Sequence, residues 1–193
     1  MTEVFEHLTA IRNRDLPSGP FREHSLVLAD YLTNELLKKV PADKHQNIVP
    51  ILVFRASLVF LPAIFKKIPD SPIGFVGLKR DEKTAVADKY YSQLPPIYEN
   101  SIVVIFDPML GTCGTLRQAH LEASKKFEST SGYFLGRENV YYVGFVAAES
   151  GYRKALNFIS KKNIILLAID PGLDSSYFIV PGLGDFGDRF FGN

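Results

Sequence analysis

Cysteine is nearly absent: the 193-residue chain carries one, Cys113, so neither an intrachain disulfide nor a cysteine-rich zinc site can form. Nothing therefore points to an oxidising compartment. An excess of one charge is missing too. Lys and Arg total 22 against 21 Asp and Glu, a formal net charge of +1. That balance gives none of the long-range attraction a nucleic-acid or anionic-membrane binder exploits, so neither partner is expected and any anion must be held by local geometry. Long apolar runs are also lacking. The stretches 102–106 and 164–169 fall far short of the roughly 20 residues that span a bilayer. Glu3 and Glu6 stand where a signal peptide would be basic and then apolar. A cytoplasmic protein is the expectation. His7, His24, His45 and His120 have no metal-ligand spacing and read as surface or packing residues.

What remains is an ordinary globular composition, 46% hydrophobic and 22% charged, with no linker, repeat or low-complexity tract. The length suits one domain spanning residues 1–193. After residue 47, short β-branched runs alternate with helical stretches, the pattern of βαβ units around a parallel sheet. Strands are expected at 47–54, 73–78, 101–106, 141–147 and 164–169, and helices at 57–67, 116–126 and 151–161. The charged segment 79–84 reads as a turn, with 88–94 returning antiparallel to make a protruding hairpin. Before residue 47 one helix is expected, at 23–39, with Leu26, Ala29, Leu32 and Leu36 on one face. From Asp174 onward the chain is Gly-rich and aromatic, without either period. The expected fold class is α/β, a Rossmann-like, mostly parallel sheet of about five strands flanked by helices.

In such sheets ligands bind beyond the carboxyl ends of the strands. The loop after the third strand, Asp107-Pro108-Met109-Leu110-Gly111-Thr112-Cys113-Gly114-Thr115, runs straight into a helix. Its glycines and threonines can offer converging N–H groups, hydroxyls and the positive end of a helix dipole, a set that suits a phosphate. Asp107 can accept hydrogen bonds from sugar hydroxyls. A plain strand-to-helix turn capped by Thr112 or Thr115 is the alternative. The loop is neither a Walker A sequence nor a dinucleotide fingerprint. Cys113 near a helix N-terminus also raises a reactive thiolate, although no His lies close in sequence.

These nine residues resemble the phosphoribosyl pyrophosphate (PRPP) loop of uracil phosphoribosyltransferases, Asp-Pro-Met-Leu-Ala-Thr-Gly-Gly-Ser. Three further segments resemble that family in order: 50–58, Pro-Ile-Leu-Val-Phe-Arg-Ala-Ser-Leu; 77–84, Gly-Leu-Lys-Arg-Asp-Glu-Lys-Thr, followed by Tyr90-Tyr91 and Leu94-Pro95; and the ending 179–192, Ile-Val-Pro-Gly-Leu-Gly-Asp-Phe-Gly-Asp-Arg-Phe-Phe-Gly. The resemblance runs from about residue 46 to residue 193. It implies an N-terminal helical segment (1–46), a PRPP-binding core (47–170) and a base-binding tail (171–193).

The resemblance also implies the activity, transfer of a phosphoribosyl group from PRPP to uracil to give UMP and pyrophosphate. A non-catalytic PRPP or nucleotide sensor, and a phosphoribosyltransferase for another base, are the alternatives. It implies PRPP contacts from Arg55, Arg80, Asp107, Pro108, Met109, Leu110, Gly111, Thr112, Cys113, Gly114, Thr115 and Asp185. Uracil would be met by Ile179, Gly184, Asp185 and Phe186, with Arg80, Asp107 and Asp185 nearest the chemistry. Mg²⁺ is implied as a cofactor held mainly by PRPP oxygens and water, with no protein metal cage. A homodimer or higher homo-oligomer and a GTP effector also come from the family.

The chain departs from the pattern at Ser57, Lys79, Gly111, Cys113, Phe178 and Phe186. If residue 113 has positive φ, its Cβ costs of order 1 kcal/mol. A Phe186 ring aimed at the base would narrow its pocket.

Overall fold

A computed structural model describes residues 2–80 and 87–193. Two helices open the chain, α1 (Thr2–Arg12) and α2 (Ser18–Lys39). The sequence places Val4, Leu8 and Ile11 at helical spacing, and Leu8 and Ile11 are buried, so α1 carries a short apolar stripe of its own. The stripe of α2 is Phe21, Ser25, Leu28, Ala29, Leu32, Thr33 and Leu36. Leu26, expected on that face, is 39% exposed, because it lies about 100° of helix rotation from Ser25. The Nδ1 atoms of His7 and His24 meet at 2.7 Å and join the two helices.

The main sheet contains β1 (Ile48–Phe54), β2 (Gly74–Arg80), β3 (Ala87–Gln93), β4 (Ile102–Phe106), β6 (Val140–Val143) and β8 (Ile164–Ile165), in the order β3-β2-β1-β4-β6-β8. A smaller parallel sheet is formed by β5 (Met109–Leu110), β7 (Val146–Ala148) and β9 (Ala168–Asp170). An antiparallel pair, β10 (Gly172–Leu173) and β11 (Ile179–Val180), follows. The helices between and after the strands are α3 (Leu61–Lys67), α4 (Gly114–Ser131), α5 (Glu149–Ala155) and α6 (Phe186–Phe191).

All pairings in the main sheet are parallel except β2 with β3. The α/β, mostly parallel sheet with an added hairpin is thus present. Most of the expected turn at 79–84, and the Arg80 side chain, lie outside the described residues.

β1 and β4 are buried on both faces, as expected of parallel strands covered by helices on each side. Ile48 and Leu52 face one core with Leu28, Leu32, Ile64 and Phe186. Val49, Ile51 and Val53 face the other with Leu116, Ala119, Ala123 and Ala155.

Two expected strands differ. The runs 141–147 and 164–169 each break in the middle and continue into the smaller sheet. The first breaks at Gly144-Phe145, where the Gly144 N–H donates to Ile165 and the Phe145 N–H to Pro108, and the second at Leu166-Leu167, where the Leu167 N–H donates to Phe145. A continuous apolar run hides such a break; in 141–147 both halves are buried as well. The expected helix 57–67 begins as a 3₁₀ turn, Ala56–Phe60, and 151–161 is a shorter helix that starts at Glu149 and ends at Ala155. In the tail, α6 is a single capped turn, too short to show a period.

His120 on α4 packs against Phe158 with ring centroids 4.9 Å apart, and its Nε2 has no hydrogen-bond partner. Burial lowers its pKa below the usual 6.5. The unfolded chain therefore takes up this proton first as pH falls below about 6.5, so this contribution to stability is present above that value and is lost on the way down to the folded pKa. Thermal melts at pH 7.5 and 5.5 should show a smaller drop in Tm for His120→Leu than for the native chain.

Candidate functional site

The strand order reverses between β1 and β4: the chain leaves β1 toward β2 on one side and returns to β4 on the other. A crevice is expected beyond the carboxyl ends at that switch point. A cleft of about 220 Å³ opens there, walled by Val53 and Phe54 from β1, Leu78 from β2, and Asp107, Met109, Gly111 and Thr115 from the loop after β4. Its opposite wall is Tyr177, Phe178, Ile179 and the run 184–187. Segments some 70 residues apart in sequence, 107–115 and 179–187, thus face each other across one cavity.

The loop after β4 is built rigidly. The Asp107 N–H donates to Val143, its carbonyl accepts from the Tyr142 hydroxyl at 2.6 Å, and its Oδ1 accepts from the Met109 N–H at 3.3 Å. Met109 and Leu110 pair in parallel with Val146 and Ala147. Gly151, near the start of α5, lies against the far side of this loop. A Cβ at Gly151 would collide with the Gly111 carbonyl oxygen and stand 3.0 Å from that of Leu110. Sequence reading offers no reason to single out this glycine, because its close neighbour is 40 residues away.

Cys113 is the N-cap of α4 and has φ 73°, ψ 3°, the left-handed conformation that favours glycine. Its side chain is buried in the second core. Burial pushes the thiol pKa up to about 11, against the opposing pull of Lys154 and Arg117. The thiol is protonated at neutral pH, which removes the reactive-thiolate reading.

Of the other candidates, Asp107, Met109, Gly111, Thr115, Ile179, Gly184, Asp185 and Phe186 belong to the cleft wall. Pro108, Leu110, Thr112, Cys113 and Gly114 complete the loop without entering that wall. The Thr112 hydroxyl accepts from the Gly114 N–H at 3.4 Å, and the Pro108 carbonyl accepts from Phe145 and Val146. Arg55, just past β1, reaches α6, where its guanidinium meets Asp188 Oδ1 at 3.2 Å and sits 5.7 Å from the Phe191 ring centre. That pair is about half exposed on both sides, so it is worth little to stability and can exchange for another anion.

Asp185 caps α6, its Oδ1 accepting from the Asp188 N–H at 2.9 Å. The Phe186 ring packs among Phe21, Phe145 and Phe190, with centroids 5.2–5.7 Å away. It is 2% exposed, so the benzyl group is used in the core rather than filling the cleft. The tail is tied to the N-terminus. Arg189 donates to the carbonyls of Ile11, Asn13 and Leu183, and Arg14 donates to that of Pro181. Sequence reasoning missed these contacts, which join opposite ends of the chain.

A switch-point cleft with a phosphate-type loop, on this sheet order, is the architecture of a phosphoribosyltransferase. The comparisons agree. A family model described as uracil phosphoribosyltransferase matches residues 42–193, and the chain belongs to that family. It is 32% identical to the uracil phosphoribosyltransferase of Malacoplasma penetrans over 100% of this chain and 99% of that protein. It is 33% identical to that of Lacticaseibacillus paracasei over 96% and 92%. Among solved structures, the AQ2163 protein from Aquifex aeolicus superposes with a TM-score of 0.81 at 29% identity, covering 97% of this chain and 93% of that one. No helix among the described residues is long and apolar enough to cross a membrane.

Proposed function

We propose that the chain transfers the phosphoribosyl group of PRPP to uracil, forming UMP and releasing pyrophosphate. The observation that carries this reading is the joining of the 107–115 loop and the 179–187 segment across one cleft. The first offers a phosphate and ribose site, the second a base site. The loop's backbone and the start of α4 would receive the 5-phosphate, since N–H groups and the helix dipole there favour an anion. Asp107 would accept from the ribose hydroxyls. Arg55 and Arg80 would meet the pyrophosphate, each guanidinium able to bond two oxygens at once.

Uracil presents carbonyls and an N–H along one edge, which suits backbone groups of Ile179, Gly184 and Phe186. Displacement at ribose C1 forms the bond to uracil N1 and breaks the bond to pyrophosphate through a transition state with oxocarbenium character. Carboxylates at Asp107 and Asp185 favour the growing positive charge, and the arginines favour the leaving anion. Alignment of uracil beside C1 supplies much of the rest, and no protein nucleophile is needed.

The donor set suits Mg²⁺ in an outer role. Asp107 and Asp185 offer hard oxygens at the cleft, and the described residues contain no group of three or more carboxylate, His or Cys ligands. Bound with PRPP, the ion would neutralise pyrophosphate charge. The reading is tested by incubating the protein with Mg²⁺, PRPP and a panel of bases. UMP and pyrophosphate are expected with uracil. Turnover of another base alone would reassign the substrate, and PRPP binding without any turnover would make the chain a sensor.

Cys113 supplies an independent check on the phosphate loop. Left-handed backbone costs a non-glycine residue about 1–2 kcal/mol, and burial of the thiol offsets part of that. Cys113→Gly should therefore keep or tighten PRPP affinity and keep UMP formation, measured side by side with the native chain. Weakened PRPP binding would contradict a backbone cradle, and activity lost with PRPP binding intact would give the Cys113 side chain a part in the reaction.

A further inference from the structure

The base-side loop is held at one residue, on the two peptide groups that flank it, by two buried or half-buried charges from distant parts of the chain. Asp170, at the end of β9 and 4% exposed, accepts the Gly182 N–H on Oδ2 at 2.9 Å. Arg12, at the end of α1, donates to the Gly182 carbonyl at 3.0 Å. The two side chains also bond each other twice, Arg12 Nη1 to Oδ2 at 2.9 Å and Nη2 to Oδ1 at 2.7 Å. Both the donor and the acceptor of Gly182 are thus fixed by one ion pair. Gly182 itself has φ +55°, and a Cβ there would collide with the Ile179 carbonyl oxygen, so the turn is closed against its own start.

Two residues further on, Gly184 and Asp185 enter the cleft wall. Neither Arg12 nor Asp170 belongs to that wall. Any freedom at Gly182 passes directly to the residues facing the base, and misplacement by about 1 Å is enough to cost ~10²-fold in a catalytic site.

We propose that Arg12 and Asp170 are positioning residues for the base, setting the Gly182 turn so that the backbone from Gly184 onward meets the nucleobase edge. This rests on the uracil reading above. It assigns a task to α1, whose sequence lies outside the matched family segment, and it predicts that the pair affects the base half of the ligand without affecting the phosphoribosyl half. A bidentate pair has the right character for this, because it fixes direction as well as distance. Arg12→Lys keeps the charge but loses the fork; an ammonium can bond Asp170 or the Gly182 carbonyl well, not hold both in this geometry.

The test compares two ligands that differ by the base alone. Affinities of the full chain for UMP and for ribose 5-phosphate are measured by calorimetry in the native protein, Asp170→Asn and Arg12→Lys, together with KM for uracil and for PRPP. Asp170→Asn is expected to weaken UMP binding and raise KM for uracil by at least ~10-fold, about 1.4 kcal/mol, while ribose 5-phosphate affinity and KM for PRPP stay within about 2-fold. Arg12→Lys should show the same selective loss at about 3-fold or more, and it decides the matter if Asp170→Asn does not fold.

Equal loss of both ligands would assign the pair a general structural role and overturn the proposal. Unchanged UMP affinity in both variants would overturn it as well. A native protein that binds UMP no tighter than ribose 5-phosphate would instead sink the uracil reading itself, a failure visible before any variant is made.

Discussion

Gly151→Ala is expected to lower kcat/KM for PRPP by ~10²-fold, because the added methyl group must displace the loop that, in the proposed function, receives the phosphate. The Gly111 carbonyl lies where that Cβ would be, and the Leu110 carbonyl is 3.0 Å from it. Neither can yield cheaply. Leu110 is paired with Ala147, and α5 is set directly by β7, whose last residue, Ala148, precedes it. Overpacking of this kind typically costs about 1–3 kcal/mol, so a Tm decrease should accompany the kinetic loss. The decisive comparison is PRPP titration at a temperature where the variant is fully folded. PRPP affinity within about 3-fold of native there would show that the loop can shift without consequence, contrary to the backbone cradle.

Asp107→Asn should lower kcat by ~10²-fold, about 2.7 kcal/mol, with a much smaller change in PRPP affinity. The amide keeps an oxygen for the Met109 N–H, so the loop's first turn is preserved. What is lost is the negative charge that the proposed function sets beside the ribose, where it would matter most as the sugar becomes cationic. The variant therefore separates geometry from electrostatics. A fall in PRPP affinity as large as the fall in kcat would mean that Asp107 acts in binding alone, and native kinetics would remove it from the mechanism.

Much of the framework is legible in the sequence because parallel strands buried on both faces read as continuous β-branched runs. The expected strands 47–54 and 101–106 match β1 (Ile48–Phe54) and β4 (Ile102–Phe106) to within one residue at the start. The same continuity conceals the breaks at Gly144 and between Ile165 and Ala168, since β6 and β7 are equally buried and only their hydrogen-bond partners differ. The loop residues 107–115 stand out by their glycines and threonines. That they face Gly184 and Asp185 is invisible locally, because it depends on the tail folding back over the sheet.

Arg12, Asp170 and Gly151 carry no motif, and each has its meaning from a partner at least 12 residues away. Phe186 illustrates the converse. Its departure from the family pattern suggests a narrowed pocket, but the ring turns into an aromatic cluster that includes Phe21 of α2. The N-terminal helices thus pack behind the 179–187 wall of the cleft.

The central claim is that this cleft joins a PRPP site to a uracil site in one catalytic unit. It is tested most directly by incubating the purified chain with Mg²⁺, PRPP and carbon-labelled uracil and following labelled UMP and free pyrophosphate together. The account predicts both products in equal amounts, with no pyrophosphate released above the rate of PRPP hydrolysis when uracil is left out. Pyrophosphate release that is independent of uracil, or the absence of labelled UMP from protein that binds PRPP, would contradict it.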